Sequence, residues 1–339
     1  MARGGLHAAL QLGSKSTDIS RLVAVSFMRI LFCGNSFPGP EFLQPRLPHD
    51  ELLVCGDQDI RSMLSGVDVV IPRMQRVGRP EMETGNFRLV QQWGAGLEGV
   101  DLEAAREKGI SVANVPANGG NAESVAEHGI LLTLALLRDL PTAQINVRKG
   151  ILGSPTGKML AERTVCLYGL GAIAFPLAQR LKAFKVRLTG VTRDPSSPKL
   201  SAFGLDACFR VSERDQAFSE ADVLILCTRY FPEMRGTIGM HELNCLPQGA
   251  YLVNIARGGL VDNRALHHAL VSGRLAGAAL DVFWEEPLPI DDPILALPNV
   301  ITTPHIAGVT DESFSDIADG VAANIERLRT GQPLLSQVV

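Results

Sequence analysis

The stretch TVCLYGLGAIAFPLAQRLKAFKVRLTGVTRDP, from Thr164 to Pro195, decides the fold. An apolar run, Val165-Cys166-Leu167-Tyr168, stops at Gly169, and apolar residues then recur with helical spacing at Leu177, Leu181 and Phe184. Strand, tight turn, helix and second strand follow in that order. The turn holds Gly169-Leu170-Gly171-Ala172-Ile173-Ala174. A first glycine permits the turn, a second lets the main chain approach a pyrophosphate, and a small third residue, here Ala174, lets helix pack on strand. The helix N-terminus offers N–H groups and the positive end of its dipole to phosphates. A glycine turn in some other α/β unit would share the glycines but not this context. The stretch predicts a dinucleotide-binding Rossmann unit.

Around it lie 339 residues, enough for two domains. The chain is 46% hydrophobic and 20% charged, with a net charge of −4, which gives no electrostatic case for a nucleic-acid or membrane partner. Its longest apolar run, Ile130 to Leu137, is far too short to span a bilayer, so a soluble chain is expected. The six cysteines form no CxxC pair and stand mostly in apolar, strand-like runs, which suits buried free thiols rather than disulfides or a metal site. Residues 1–28 read as an N-terminal extension. Arg3, Lys15 and Arg21 against Asp18 give it a transit-peptide flavour that a disordered terminus would share, so a cytoplasmic location is expected with organelle import as the alternative.

From Ile30 to Pro116, strands are expected at Ile30 to Cys33, Leu52 to Cys55, Val67 to Ile71, Leu89 to Gln92 and Ser111 to Asn114, with a helix from Leu102 to Lys108 ended by Gly109. Such alternation implies a parallel sheet. Between strands lies Trp93-Gly94-Ala95-Gly96-Leu97-Glu98-Gly99, where glycines leave main-chain N–H groups accessible. The loop Pro72 to Glu81 carries Arg73, Arg76 and Arg79, one of which is a candidate for holding an anionic substrate because the loop leaves a strand's C-terminal end. A long helix capped by Asn121 and stopped by Pro141 is expected next, with His128 on it as a packed or capping residue. After the fingerprint, strands recur at Ala207 to Val211, Val223 to Cys227, Tyr251 to Asn254, Gly277 to Leu280 and Val300 to Thr303. They predict a six-stranded Rossmann sheet, with a last helix from Asp311 to Arg329 returning to the first domain.

Three strand ends of the second domain deliver polar groups. They are Asn254-Ile255-Ala256-Arg257, Asp281-Val282-Phe283-Trp284-Glu285-Glu286 and Pro304-His305. In a doubly wound sheet these ends converge on one crevice. Arginine pairs with a carboxylate, histidine moves a proton near neutral pH, and a carboxylate behind it fixes its tautomer, so the set suits reduction of a 2-keto acid. Each residue alone also has a plain structural explanation.

The motifs WGAGLEGVD, NAESVAEH, GLGAIA, VNIARGGLVD, AALDVFWEEPLP and TPHIAG occur in the order and spacing of the D-2-hydroxyacid dehydrogenase family, which the chain resembles from Arg29 to Val339. The resemblance implies a two-domain α/β fold, with a Rossmann domain (122–305) inserted in a smaller flavodoxin-like, substrate-binding domain (29–121 and 306–339). It implies that Arg257 binds the substrate carboxylate and polarises the carbonyl, that His305 is the acid/base, and that Glu286 is its partner. Main-chain groups near Ala95 and Gly96 would hold the carboxylate from the first domain. The cofactor would meet Gly169, Gly171, Ala172, Ile173, Thr192, Arg193, Ala256 and Asp281, the last at its nicotinamide end. A homodimer built on the cofactor domains is implied as well.

Two positions depart from the family pattern. Eighteen residues beyond Ala174, where NAD-preferring members carry an acid for the ribose 2′-hydroxyl, stands Thr192, followed by Arg193. This favours NADP, while Asp194 keeps NAD open. Arg229-Tyr230-Phe231 replaces the usual Pro-Leu-Thr before Pro232-Glu233. Within the family, glyoxylate or hydroxypyruvate reduction is the expected activity. Formate dehydrogenase is disfavoured by the acid retained at Glu286, and a phosphoglycerate dehydrogenase-like enzyme stays open as an alternative, since tail length does not identify a substrate. A dinucleotide-sensing, corepressor-like interaction protein is the alternative from a different class.

Overall fold

A computed structural model of the chain describes residues 27–34, 38–73 and 75–339. All but Phe27 and Met28 of the expected N-terminal extension lies outside these residues. Met28 belongs to the fold: it is fully buried, and its carbonyl accepts from the Glu51 amide.

The first sheet contains β1 (Arg29–Phe32), β2 (Glu51–Val54), β3 (Val69–Ile71), β4 (Leu89–Gln91) and β5 (Ser111–Ala113). Every pair is parallel, in the order β2-β1-β3-β4-β5. This is the flavodoxin-like order, whose switch point lies between β1 and β3. Short helices α1 (Gly39–Leu43), α2 (Arg79–Thr84) and α3 (Leu102–Lys108) connect the strands. Gly109 ends α3 at φ +67, and the Asp101 carboxylate caps its start.

The chain then enters α4 (Gly119–Leu137), a helix with an apolar, mostly buried course. Two expectations fail here. The helix starts after Asn118, and Asn121 lies inside it, donating to Ser313 Oγ at 2.9 Å. Nor does Pro141 stop it. Asp139, at φ +47, breaks the chain, and Pro141 sits in the first turn of α5 (Leu140–Arg148), where its missing N–H costs nothing.

The second sheet has seven parallel strands rather than six. They are β6 (Thr164–Tyr168), β7 (Arg187–Thr192), β8 (Ala207–Arg210), β9 (Val223–Leu226), β10 (Ala250–Asn254), β11 (Leu275–Leu280) and β12 (Val300–Thr302). The order β12-β11-β10-β9-β6-β7-β8 is the doubly wound Rossmann arrangement with one strand added beyond β11. Helices α6 (Ala174–Ala183), α7 (Arg214–Ser219), α8 (Met240–Cys245) and α9 (Asn263–Val271) cross between strands. Central β9 and β10 are buried along their whole length, as strands covered on both faces must be.

The last helix, α10 (Asp311–Thr330), returns to the first sheet. Phe314 meets Trp93 edge to face at 5.9 Å, and Ile317, Val321 and Ile325 complete that core. Near its start α10 also grips α4: Asp316 Oδ2 accepts from the Gly120 amide at 2.8 Å. Burial pushes the Cys166 thiol up to about 12 and raises those of Cys33 and Cys227 as well, as befits structural thiols. Among the described residues no single helix is long and apolar enough to cross a membrane.

Candidate active site

The turn between β6 and α6 lies at the switch point of the second sheet, beside the end of β9. Gly169 has φ +99, and a Cβ there would stand 2.5 Å from the Thr228 main chain. Gly171 is different, because a Cβ there would meet no atom within 4 Å. It borders a pocket of about 540 Å³ that Ala172, Thr192, Arg193, Asp194 and Lys199 also line. The predicted contacts at Gly171, Ala172, Thr192 and Arg193 are therefore gathered in one place. Asp194 is turned upon its own loop, since Oδ1 accepts from the Ser196 hydroxyl at 2.5 Å and the Ser196 amide at 3.1 Å. These bonds hold its carboxyl below the usual range. The open space beside Gly171, with Arg193 and Lys199 at its rim, suits the approach of a dinucleotide. Lys199, absent from the sequence reading, is brought in by the turn at the start of the 198–203 helical segment.

At the reaction end, His305 Nδ1 lies 2.6 Å from Glu286 Oε2. Glu286 is itself fixed, with Oε1 accepting from the Phe283 amide at 2.9 Å. His305 is one-third exposed and Glu286 less so, which leaves the imidazole open to the crevice while its partner stands behind it. Arg257 follows β10 in a turn organised by the buried Asn254, whose Oδ1 accepts from the Ala256 amide and whose Nδ2 donates to the Arg257 carbonyl. The Tyr230 ring of the unusual 229–231 segment packs beside this turn, 3.1 Å from where a Gly259 Cβ would stand.

Asp281, just past β11, has a side chain that is 1% exposed. Oδ1 accepts from Thr303 Oγ1 at 2.6 Å and the Ile306 amide at 2.9 Å, and Oδ2 accepts from the Ala307 amide at 2.9 Å. His128 adds a contact at 3.4 Å while bonding Thr303 Oγ1 at 3.0 Å, so this helix histidine is a packed residue as expected. Burial pushes the Asp281 carboxyl up, and the bonds from His128, Thr303 and the two amides outweigh it, leaving it below its usual range. Asp281 thus clamps the turn that carries His305, itself held at φ +55.

The first sheet contributes from its own switch point. Arg73 follows β3, and its Nη1 lies 3.6 Å from where a Gly34 Cβ after β1 would stand. Burial pulls its guanidinium down to about 10 against the opposing pull of the Glu286 carboxylate, so Arg73 lies within electrostatic reach of Glu286 and is charged at neutral pH. Arg79, by contrast, pairs with Glu107 on the surface at 2.5 Å. The Gly94–Gly99 turn brings Gly96 against Arg257, and Asn114 Nδ2 donates to the Ala95 carbonyl at 2.8 Å to hold the turn in place. Glu98 of that turn, to which sequence reasoning gave no role, meets Arg257 across the crevice.

Residues 130–307 match the family model described as D-isomer specific 2-hydroxyacid dehydrogenase, NAD binding domain. The chain belongs to this family. It is 33% identical over 262 residues to a hydroxypyruvate reductase of Thermotoga maritima, a match covering 75% of this chain and 82% of that protein. It is 34% identical over 255 residues to a D-3-phosphoglycerate dehydrogenase of Archaeoglobus fulgidus, covering 75% and 47%. The chain thus spans about half the length of the curated phosphoglycerate dehydrogenases it matches. Among solved structures, an NADPH-dependent glyoxylate/hydroxypyruvate reductase of Sinorhizobium meliloti in complex with NADP and malonate superposes with a TM-score of 0.80 at 30% identity. That match covers 93% of this chain and 97% of the other.

Proposed function

We propose that this protein is an NAD(P)-dependent reductase of small 2-keto acids, with glyoxylate and hydroxypyruvate as the first candidates. The observation that carries it is the 2.6 Å contact between His305 and Glu286 opposite Arg257 and the Gly94–Gly99 turn. The dinucleotide, when bound, supplies the hydride. With Nδ1 on Glu286, His305 has Nε2 free to protonate the alkoxide oxygen as the carbonyl is reduced. Arg257 pairs with the substrate carboxylate and polarises its carbonyl, and the Ala95 and Gly96 main chain meets the same carboxylate from the first sheet. Arg73 adds positive charge on that side.

Arg193 and Lys199 around the Gly171 pocket, with Asp194 tied to Ser196, support NADP as the preferred cofactor. The division into a substrate-binding part (29–121 and 306–339) and a dinucleotide-binding part (122–305) accords with the two sheets and with α10 packing on the first. Leu131, Ile145, Val147, Ile151, Leu152 and Met159 are exposed along α4, α5 and the following loop, and support that stretch as a homodimer contact.

The test is reduced-cofactor oxidation by the purified chain, with NADPH and NADH each offered glyoxylate, hydroxypyruvate, pyruvate and phosphohydroxypyruvate. Turnover of a keto acid is expected, faster with NADPH at limiting cofactor. Preference for the phosphorylated substrate would move the reading to a phosphoglycerate dehydrogenase. Cofactor binding without any turnover would move it to a sensing protein.

A further inference from the structure

Two turns from different sheets meet at one ion pair. Arg257 Nε donates to Glu98 Oε1 at 3.1 Å, and Arg257 Nη1 donates to the Ala256 carbonyl at 2.8 Å. The remaining nitrogen, Nη2, faces Gly96. A Cβ at Gly96 would collide with both Nη2 and Glu98 Oε2, so the missing side chain is what lets the guanidinium and the carboxylate reach this turn.

A guanidinium is a rigid planar fork of five N–H donors. Once Nε and Nη1 are held by acceptors, the direction of Nη2 is fixed. We propose that Glu98 is a positioning residue: it takes Arg257 Nε so that the Nη2 edge is presented to the substrate carboxylate beside Gly96. The inference rests on the reductase reading of this site. Both partners are over one-third exposed, so the pair adds little to stability. Its effect lies in orientation. An arginine swinging freely on its stem would meet the carboxylate in many geometries, few of them productive. Glu98 also carries a charge of the same sign as the incoming carboxylate, a few ångströms from where that carboxylate docks. It therefore fixes the fork while limiting how tightly a substrate is held.

These two effects separate in two variants. Glu98→Gln keeps an oxygen acceptor for Nε and loses the charge, whereas Glu98→Ala loses both. In steady-state assays of the full chain, Glu98→Ala is expected to lower kcat/KM roughly tenfold to a hundredfold, with both kcat and KM affected. Glu98→Gln should restore kcat and show a KM at or below that of the unaltered protein. A second readout does not depend on turnover: calorimetric binding of malonate to the chain preloaded with NADPH should weaken about tenfold in Glu98→Ala and not in Glu98→Gln. NADPH affinity and Tm should be unchanged in both.

Unaltered kcat, KM and malonate binding in Glu98→Ala would overturn the proposal. So would a Glu98→Gln variant as impaired as Glu98→Ala, or a fall in Tm accounting for the lost activity. If the unaltered chain turns over no keto acid yet binds malonate in a manner sensitive to Glu98→Ala, the positioning role stands and the reductase reading falls. Absence of malonate binding altogether would remove both.

Discussion

Gly169 and Gly171, two residues apart in one turn, stand in opposite surroundings: a side chain at the first would press on the Thr228 main chain, and a side chain at the second would project into open space. Gly169→Ala is therefore a folding mutation, combining a positive φ with a 2.5 Å contact, and it should destabilise by about 2 kcal/mol or more. Gly171→Ala should leave Tm within a degree or two and weaken NADPH binding. Thermal melts and fluorescence titration of the two variants check the contrast.

Replacing His305 by alanine would remove the proposed proton donor and leave the residues that line the Gly171 pocket in place. Turnover should fall about 10²- to 10⁴-fold while the dissociation constant for NADPH holds. Glu286→Gln should fall in the same direction, because an amide no longer fixes the imidazole through a charged acceptor. Equal kcat in either variant would remove that residue from the mechanism.

Cofactor choice should follow the basic rim. Arg193→Ala combined with Lys199→Ala is expected to raise the KM for NADPH about tenfold to a hundredfold, the scale of losing hydrogen bonds to a charged phosphate. The KM for NADH should change little. An equal loss for both cofactors would mean that the two side chains do not read the 2′-phosphate.

Asp281 predicts a pH dependence of stability. Its folded-state pKa is depressed, so its contribution is present above the unfolded value of about 3.9 and is lost as pH falls through the folded one. The unaltered chain should lose Tm on acidification below about pH 4. Asp281→Asn should start lower at pH 7 and show a shallower decline, read by thermal melts across pH 2.5 to 7.

A homodimer through the α5 face should be separable from folding. Leu152→Glu with Val147→Glu, at two highly exposed positions, should convert a dimer to monomer in analytical ultracentrifugation with Tm little changed. A monomeric unaltered protein would argue against that face.

Much of this site was legible because its residues sit at strand ends, where local pattern suffices: the apolar runs before Gly169, Arg257, Asp281 and His305 fix where those residues stand. Strands fell within two residues of their expected places for the same reason. What was missed depends on distance along the chain. Glu98 meets Arg257 across 159 residues, and no local period encodes that. Asn121 looked like a cap because its type suits one, yet its amide serves α10 instead. Asp281 follows a buried strand, and nothing in the sequence says that its carboxylate takes the Ile306 and Ala307 amides. In sequence, a proline that ends one helix and a proline that begins the next look alike, and only the left-handed Asp139 before it assigns Pro141 to the start of α5.

The chain passes between its two sheets twice, once between β5 and α4 and once between β12 and α10, and the two passages are tied together by Asp316 on Gly120. His305 lies on the second passage. Any rocking of one sheet against the other would turn about these linked passages, which would set His305 near the axle and Arg73 and the Gly94–Gly99 turn nearer the rim. The group whose placement tolerates least error would then travel least. The wider sweep would be left to side chains and amides that need only arrive at the end of the movement.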